Sequence, residues 1–289
     1  FLKKHASGEP PNVRDSCIDM RAAGPERVDE AHGQGDVPED VLEGMCAVCG
    51  AHALFHRNHR SIREGYECPS CRASLRYRHQ AGVILEKYGL SGSGSIADLV
   101  RLPAFASLSI YEPGIIGPFR KYLSALPGYV NSCFRPDAAP GQAVDGVRCE
   151  NLEILTFSDA SFDLVISSDI FEHIRKPFRA FAEVYRVLKP GGSHVFTVPM
   201  AWPLPAKTAY RVDTSGPEDR FIAEPRYHSS PMDSKGSLVY TDFGLDLLEA
   251  LADIGFESGY EYFKYNVTFW SCKPSNESAT FYPCCRRSL

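Results

Sequence analysis

The stretch from Phe162 to Pro199, FDLVISSDIFEHIRKPFRAFAEVYRVLKPGGSHVFTVP, decides the fold. FDLVISS and SHVFTVP are strand-like runs, and between them lies the clearest helix signal in the chain. Phe178, Phe181, Tyr185 and Leu188 recur at helical spacing and form one apolar face. Pro177 suits a first helical turn, where its missing N–H would go unpaired anyway. Pro190-Gly191-Gly192 is expected to stop the helix. Strand, helix, strand in this order is a βαβ unit with a right-handed crossover, and therefore part of a parallel sheet.

Outward from that unit, SLSIYE and GYVNSCF read as further strands upstream. Downstream, TDFGLDLLEALADIGF reads as a helix with Thr241 or Asp242 as N-cap and Gly255 as its stop. YEYFKYNVTFW then has the aromatic, β-branched character of a closing hairpin. The alternation predicts an α/β class, a sheet covered by helices on both faces. From Ala201 to Val239 the periodicity fails in a run rich in Pro, Tyr, Arg and Ser, too long for a plain connection; residues 201–239 are expected to form a lid. Residues 1–40 lack a sustained apolar period and are expected to be disordered. Residues 81–106 read as a helical linker, 107–275 as the large domain and 276–289 as a tail.

A hydrophobic fraction of 44%, a charged fraction of 23% and a formal net charge of -5 are those of a globular protein, with no global attraction to polyanions. No apolar run is long enough to span a bilayer, and no signal peptide is visible in the sequence, so a cytoplasmic protein without membrane contact is expected.

Ten cysteines are many for such a chain, and four are ordered in spacing. Cys46-x-x-Cys49 and Cys68-x-x-Cys71 can wrap one tetrahedral Zn²⁺, so residues 41–80 are expected to be a zinc ribbon. With four thiolate ligands the site would be structural. Arg57, Arg60, Arg63, Arg72, Arg76 and Arg78 outnumber Glu64 and Glu67 there, and His52, His56, His59 and His79 add charge at low pH. That excess can grip the phosphates of RNA. Arginines that solubilise or brace a small module give the same composition.

The segment from Leu152 to Pro199, with its E-H pair after one strand and L-K-P-G-G before the next, resembles class I S-adenosylmethionine-dependent methyltransferases. The resemblance extends over roughly Ser107 to Ser271 and implies a Rossmann-like seven-stranded sheet that binds S-adenosylmethionine. It implies cofactor contacts from the turn Glu112, Pro113, Gly114 and Gly117, where Ile116 stands in place of the usual next glycine. Asn151 stands where an Asp usually meets the adenine amine, Leu152 would pack on the adenine, and Ser167 and Ser168 would lend backbone. Cys133 occupies the place of the ribose-binding acid. A nicotinamide dehydrogenase fits less well, because here the acid precedes the glycine and no carboxylate follows about twenty residues on.

A sulfonium methyl is already activated, so alignment is the main requirement, with a base only where the acceptor must lose a proton. Asp169 and His173 are the candidates for that base. Asp169, Glu172 and His173 could instead hold Mg²⁺, or merely fix the turn. His194 reads as a scaffold histidine. Arg220, Arg226, Tyr227 and His228 are the candidate lid contacts to substrate. The resulting expectation is methyl transfer to an O or N acceptor on a small or medium-sized molecule. The alternatives are an RNA methyltransferase gripping substrate with its ribbon, and a non-catalytic binding protein on the same scaffold. The sequence names neither the methyl acceptor nor an oligomeric state.

Overall fold

A computed structural model describes residues 40–89, 93–228 and 236–275. The segment expected to be disordered, Asp40 excepted, and the tail from 276 lie outside the described residues. The chain opens with a hairpin of β1 (Val41–Met45) and β2 (His52–His56), then a 3-10 turn at Ile62–Glu64. Helices α1 (Leu75–Tyr88), α2 (Ile96–Leu99) and α3 (Pro103–Ala106) lead into β3 (Ile110–Pro113), α4 (Arg120–Leu123), β4 (Tyr129–Cys133), β5 (Ala143–Val144) and β6 (Val147–Cys149). Then come β7 (Phe162–Ser168), α5 (Pro177–Val187) and β8 (Leu188–Thr197). Six two-residue strands follow: β9 (Ala209–Tyr210), β10 (Val212–Asp213), β11 (Arg220–Phe221), β12 (Tyr227–His228), β13 (Ser237–Leu238) and β14 (Thr241–Asp242). The chain closes with α6 (Leu247–Ile254), β15 (Glu257–Phe263) and β16 (Asn266–Cys272).

The main sheet runs β15-β16-β8-β7-β3-β4-β6-β5. Its centre, from β8 to β6, is parallel, while β16 lies antiparallel to β8 and pairs with β15 as the predicted hairpin. The two-residue β5, folded back on β6, is added to the seven strands expected. From β3 the chain builds outward through β4 and β6, then crosses back to start β7 on the other side of β3. That reversal is a topological switch point, and it opens a crevice at the carboxyl ends of β3 and β7.

Side chains alternate across the sheet because successive strand residues point to opposite faces. Ile110, Leu164, Ile166 and Val195 face α1, whereas Tyr111, Val165 and Phe196 face α5 and α6. The first core is continuous with Val48, Phe55 and Tyr66 of the cysteine module, so the module is packed onto the sheet. Residues 81–106, expected as a linker, supply Ile84, Ile96, Leu99 and Phe105 to the same core.

Two helix boundaries differ from the sequence reading. Helix α5 ends at Val187, and Pro190-Gly191-Gly192 lies inside β8, where Gly191 at φ +82° accompanies a register shift against Phe162 and Leu164. Helix α6 starts at Leu247 with Asp246 as N-cap. Asp246 accepts hydrogen bonds from the Thr208 N–H and hydroxyl, at 2.8 and 2.6 Å. Thr241 and Asp242, the expected caps, pair instead with Tyr210 and Ala209. Gly255 ends α6 in the left-handed region, as predicted. No helix among the described residues is long and apolar enough to cross a membrane.

Candidate functional site

The crevice floor is built by the two strand ends at the switch point. Glu112 is buried at 7% exposure and accepts a 2.6 Å hydrogen bond from the Tyr129 hydroxyl. Burial pushes its carboxyl up to about 7 against the pull of that hydrogen bond and of Arg120. Gly114 follows at φ +104°, a conformation that L side chains rarely adopt, and Gly117 lies under the Tyr77 hydroxyl. Ile116, in the place of a glycine, is 63% exposed and points its bulk away from the turn. Next to Glu112 in the β3–β4 register lies Asn131, whose buried Nδ2 has no hydrogen-bond partner among the described residues. Cys133 ends β4 opposite Cys149, and burial and that neighbour push its thiol up. It therefore stays a poor charged acceptor.

Across the crevice, Ser167 is buried and its hydroxyl meets His194 Nε2 at 2.9 Å; burial alone lowers that imidazole to about 3, which fits a scaffold role. Ser168 donates to Gln80 Oε1 at 2.6 Å, while Gln80 Nε2 donates to the Ser167 and Val195 carbonyls at 2.9 and 3.1 Å. Asn151 bridges to Ile154 and accepts from the Glu153 N–H, so its amide is committed to its own turn; Leu152 beside it is buried.

Asp169 follows β7 at φ +52°, a left-handed conformation that Asp tolerates better than most residues. Both of its oxygens are held by Arg63, at 2.6 and 2.8 Å; Arg76 adds a 3.3 Å contact and Thr197 a 2.8 Å hydrogen bond. Burial opposes its charge, but Arg76, Arg63 and these hydrogen bonds outweigh it and hold the carboxyl well below the usual range. A carboxylate so engaged is a counter-ion; it has no free lone pair with which to take a proton.

Three residues further on, Glu172 is buried at 1% exposure, and neither oxygen has a hydrogen-bond partner among the described residues. Burial and the charge of Asp169 push its carboxyl up to about 8. His173 donates from Nδ1 to the Leu238 carbonyl at 2.8 Å, which leaves Nε2 3.4 Å from Glu172 Oε1. His228 brings Nδ1 within 3.6 Å of the same oxygen. Of the other lid residues, Arg226 is paired with Asp242, Arg220 with Asp213 at 2.5 Å, and Tyr227 is exposed. An open groove of about 550 Å³ between the start of α5 and β10–β11 touches Arg220 but none of Glu112, Ser168 or Asp169.

The four ribbon cysteines converge. Cys46 and Cys71 sulfurs lie 3.7 Å apart, Cys49 and Cys68 3.6 Å apart, and all four fall within 4.8 Å of one another. Tetrahedral Zn–S bonds of about 2.3 Å put sulfurs about 3.8 Å apart. Arg78 adds a second test of fit. Its Nε and one terminal nitrogen are buried without a hydrogen-bond partner, its plane lies 3.6 Å over the Phe55 ring, and it feels Cys46, Cys68 and Cys71. A buried cation placed so is compensated by the excess negative charge of a metal tetrathiolate.

Sequence reading found the cysteines, the β3 turn and the β7 end. It missed Gln80, Tyr129 and Thr197, which carry no motif and act through long-range contacts. Arg63 and Arg76 were visible only as ribbon charge; Glu64, 2.7 Å from Arg76, completes their network.

With this geometry in view, residues 130–196 match the family model of the methyltransferase domain. Two curated relatives are similar over short stretches. Dimethylglycine N-methyltransferase of Parasynechococcus marenigrum is 49% identical over 55 residues, 19% of this chain and 20% of the relative. Glycine/sarcosine/dimethylglycine N-methyltransferase of Actinopolyspora halophila is 49% identical over 51 residues, 18% of this chain and 9% of the relative. The chain thus spans a fifth or less of the length of these relatives. Among solved structures, an S-adenosylmethionine-dependent methyltransferase from Mesorhizobium loti is similar, with a TM-score of 0.40 and 20% identity over 59% of this chain and 93% of its own.

Proposed function

We propose that this chain is an S-adenosylmethionine-dependent methyltransferase acting on an O or N acceptor of a small or medium-sized molecule. One observation carries the reading: the matched segment, residues 130–196, supplies the β7 side of the switch-point crevice with Ser167 and Ser168, and the Glu112–Gly114 turn, upstream of the match, supplies the other side. Gly114 at φ +104°, the outward Ile116 and the unpartnered Asn131 Nδ2 fit a polar ligand laid across the strand ends. Glu112 and the backbone at Gly114 and Ser168 would hold the cofactor, with Leu152 against its base. The cofactor supplies an activated methyl, and the chain's task is to align the acceptor and exclude water. Asp169, saturated by Arg63, Arg76 and Thr197, takes no acceptor proton in this reading.

The division into ribbon (41–80), helical segment (81–106) and methyltransferase domain (107–275) with a 201–239 lid is part of the same proposal, as is a structural Zn²⁺ on Cys46, Cys49, Cys68 and Cys71. The RNA reading loses support because Arg63, Arg76 and Arg78 turn inward, which leaves Arg57, Arg60 and Arg72 as exposed ribbon arginines, the last paired with Glu67 at 2.6 Å. Both curated relatives carry names of N-methyltransferases acting on glycine derivatives, so glycine, sarcosine and dimethylglycine head the acceptor panel. Calorimetry with S-adenosylhomocysteine should show saturable binding that Glu112→Ala weakens at least tenfold. Absence of heat at high micromolar ligand would leave a binding scaffold as the better description.

A further inference from the structure

Glu172, His173 and His228 bring their ligand atoms within 4.8 Å of one another. Glu172 leaves β7 in the 3-10 turn Phe171–His173, while His228 arrives from the lid strand β12, more than fifty residues later. We propose that these three side chains form a second metal site, a two-histidine, one-carboxylate set for a divalent transition metal, separate from the four cysteines.

Four observations support it. The Glu172 carboxyl is almost fully buried and neither oxygen has a hydrogen-bond partner among the described residues, so both oxygens remain open to an ion. The Leu238 carbonyl takes the Nδ1–H of His173, which fixes the tautomer with a lone pair on Nε2, aimed at Glu172 Oε1. A backbone acceptor behind a ligating imidazole is the usual outer-shell arrangement at metal sites. The separations of 3.4 and 3.6 Å from Oε1 to His173 Nε2 and His228 Nδ1 are long for aligned hydrogen bonds. Neighbouring ligands on one ion with bonds of about 2.1 Å lie about 3.0–3.4 Å apart, so the His173 separation fits as it stands and the His228 separation exceeds the range by about 0.2 Å. Finally, the nearest cations are already engaged, Arg63 by Asp169 and Arg226 by Asp242, so the carboxylate is not theirs to neutralise.

Three protein ligands leave coordination positions for water or for an oxygen of a bound molecule. The ion would also cross-link the lid to the end of β7. Its binding does not depend on methyl transfer, so the two readings fail separately.

The test is metal stoichiometry in the full chain, purified under reducing conditions, saturated with Zn²⁺ and desalted before elemental analysis. The parent should hold one equivalent more than His228→Ala and than Glu172→Gln. Co²⁺ added to parent carrying one equivalent of Zn²⁺, enough for the four cysteines alone, should give visible ligand-field bands without a thiolate charge-transfer band, and both variants should lose them. Equal stoichiometry in parent and His228→Ala, or cobalt bands that persist in that variant, overturns the proposal. His228 is half-buried on a lid strand, so its replacement leaves the fold testable where Glu172→Gln does not; an unshifted thermal transition confirms this.

Discussion

Arg63 grips both carboxylate oxygens of Asp169, at 2.6 and 2.8 Å, and so fastens the turn after the cysteine hairpin to the mouth of the crevice. The pair is mostly buried, with side-chain exposures of 14% and 18%. Removing one partner of a buried pair leaves an uncompensated charge, at a cost of about 3–5 kcal/mol. Arg76, 3.3 Å from the same carboxylate, softens that loss. Arg63→Ala should therefore destabilise the chain by about 3 kcal/mol in denaturant titrations, with Arg63→Lys in between because a single ammonium cannot replace the fork. A loss within experimental error for Arg63→Ala would mean that the ribbon is not anchored through Asp169.

The same anchor would link a metal held by the four cysteines to the crevice. Cys68→Ser should abolish metal retention by the ribbon and loosen Val48, Phe55 and Tyr66 from the shared core, where each apolar side chain contributes about 1.5–3 kcal/mol. The thermal transition should drop, and S-adenosylhomocysteine affinity should fall although no cysteine lines the β3 turn. A metal-free variant with unchanged thermal transition and affinity would show that the hairpin holds itself together.

Burial raises Glu112 from 4.5 to about 7 in the folded chain. The native state then binds a proton that the unfolded chain has already released, so stability is greatest below pH 4.5 for this group and is lost as pH rises to about 7. The full effect is roughly 3 kcal/mol. Glu112→Gln keeps the shape and cannot titrate. The stability difference, variant minus parent, should therefore increase between pH 5 and pH 7 in cofactor-free protein. A difference that is flat with pH would place Glu112 in wetter surroundings than its 7% exposure implies.

How much of this was legible in the sequence follows from the range of each interaction. The β7–α5–β8 unit was legible because its periodicities are local, and the cysteines because ligand spacing is local. The N-cap of α6 was misplaced because Thr241 and Asp242 make a strand pair with Tyr210 and Ala209, a contact set by the lid. Asp169 could be flagged as a candidate base, but its saturation depends on Arg63, 106 positions away. His228 could be flagged as a lid contact, but its position beside Glu172 depends on how β12 returns to the sheet. Charge is legible in the sequence but its direction is not. The ribbon's basic excess suggested a polyanion partner, and three of those arginines, Arg63, Arg76 and Arg78, face the protein's own interior.

Gln80 shows how a residue without a motif can govern the crevice. Its amide reaches from α1 to donate to the Ser167 and Val195 carbonyls and to accept from the Ser168 hydroxyl, all in a buried setting. Gln80→Leu leaves these groups unpaired, at about 1–3 kcal/mol for each buried polar group stranded. Gln80→Glu is the sharper probe, because a carboxylate cannot donate to two carbonyls and its charge is repelled by them. The substituted acid should titrate above the usual carboxylate range in the native state. Its protonated form, able to donate once, should be the better tolerated. Destabilisation by Gln80→Glu should accordingly be larger at pH 7 than at pH 5, the opposite trend to Glu112→Gln measured against the parent. Equal destabilisation at both pH values would mean that the amide's donors are not what holds the ends of β7 and β8 in register.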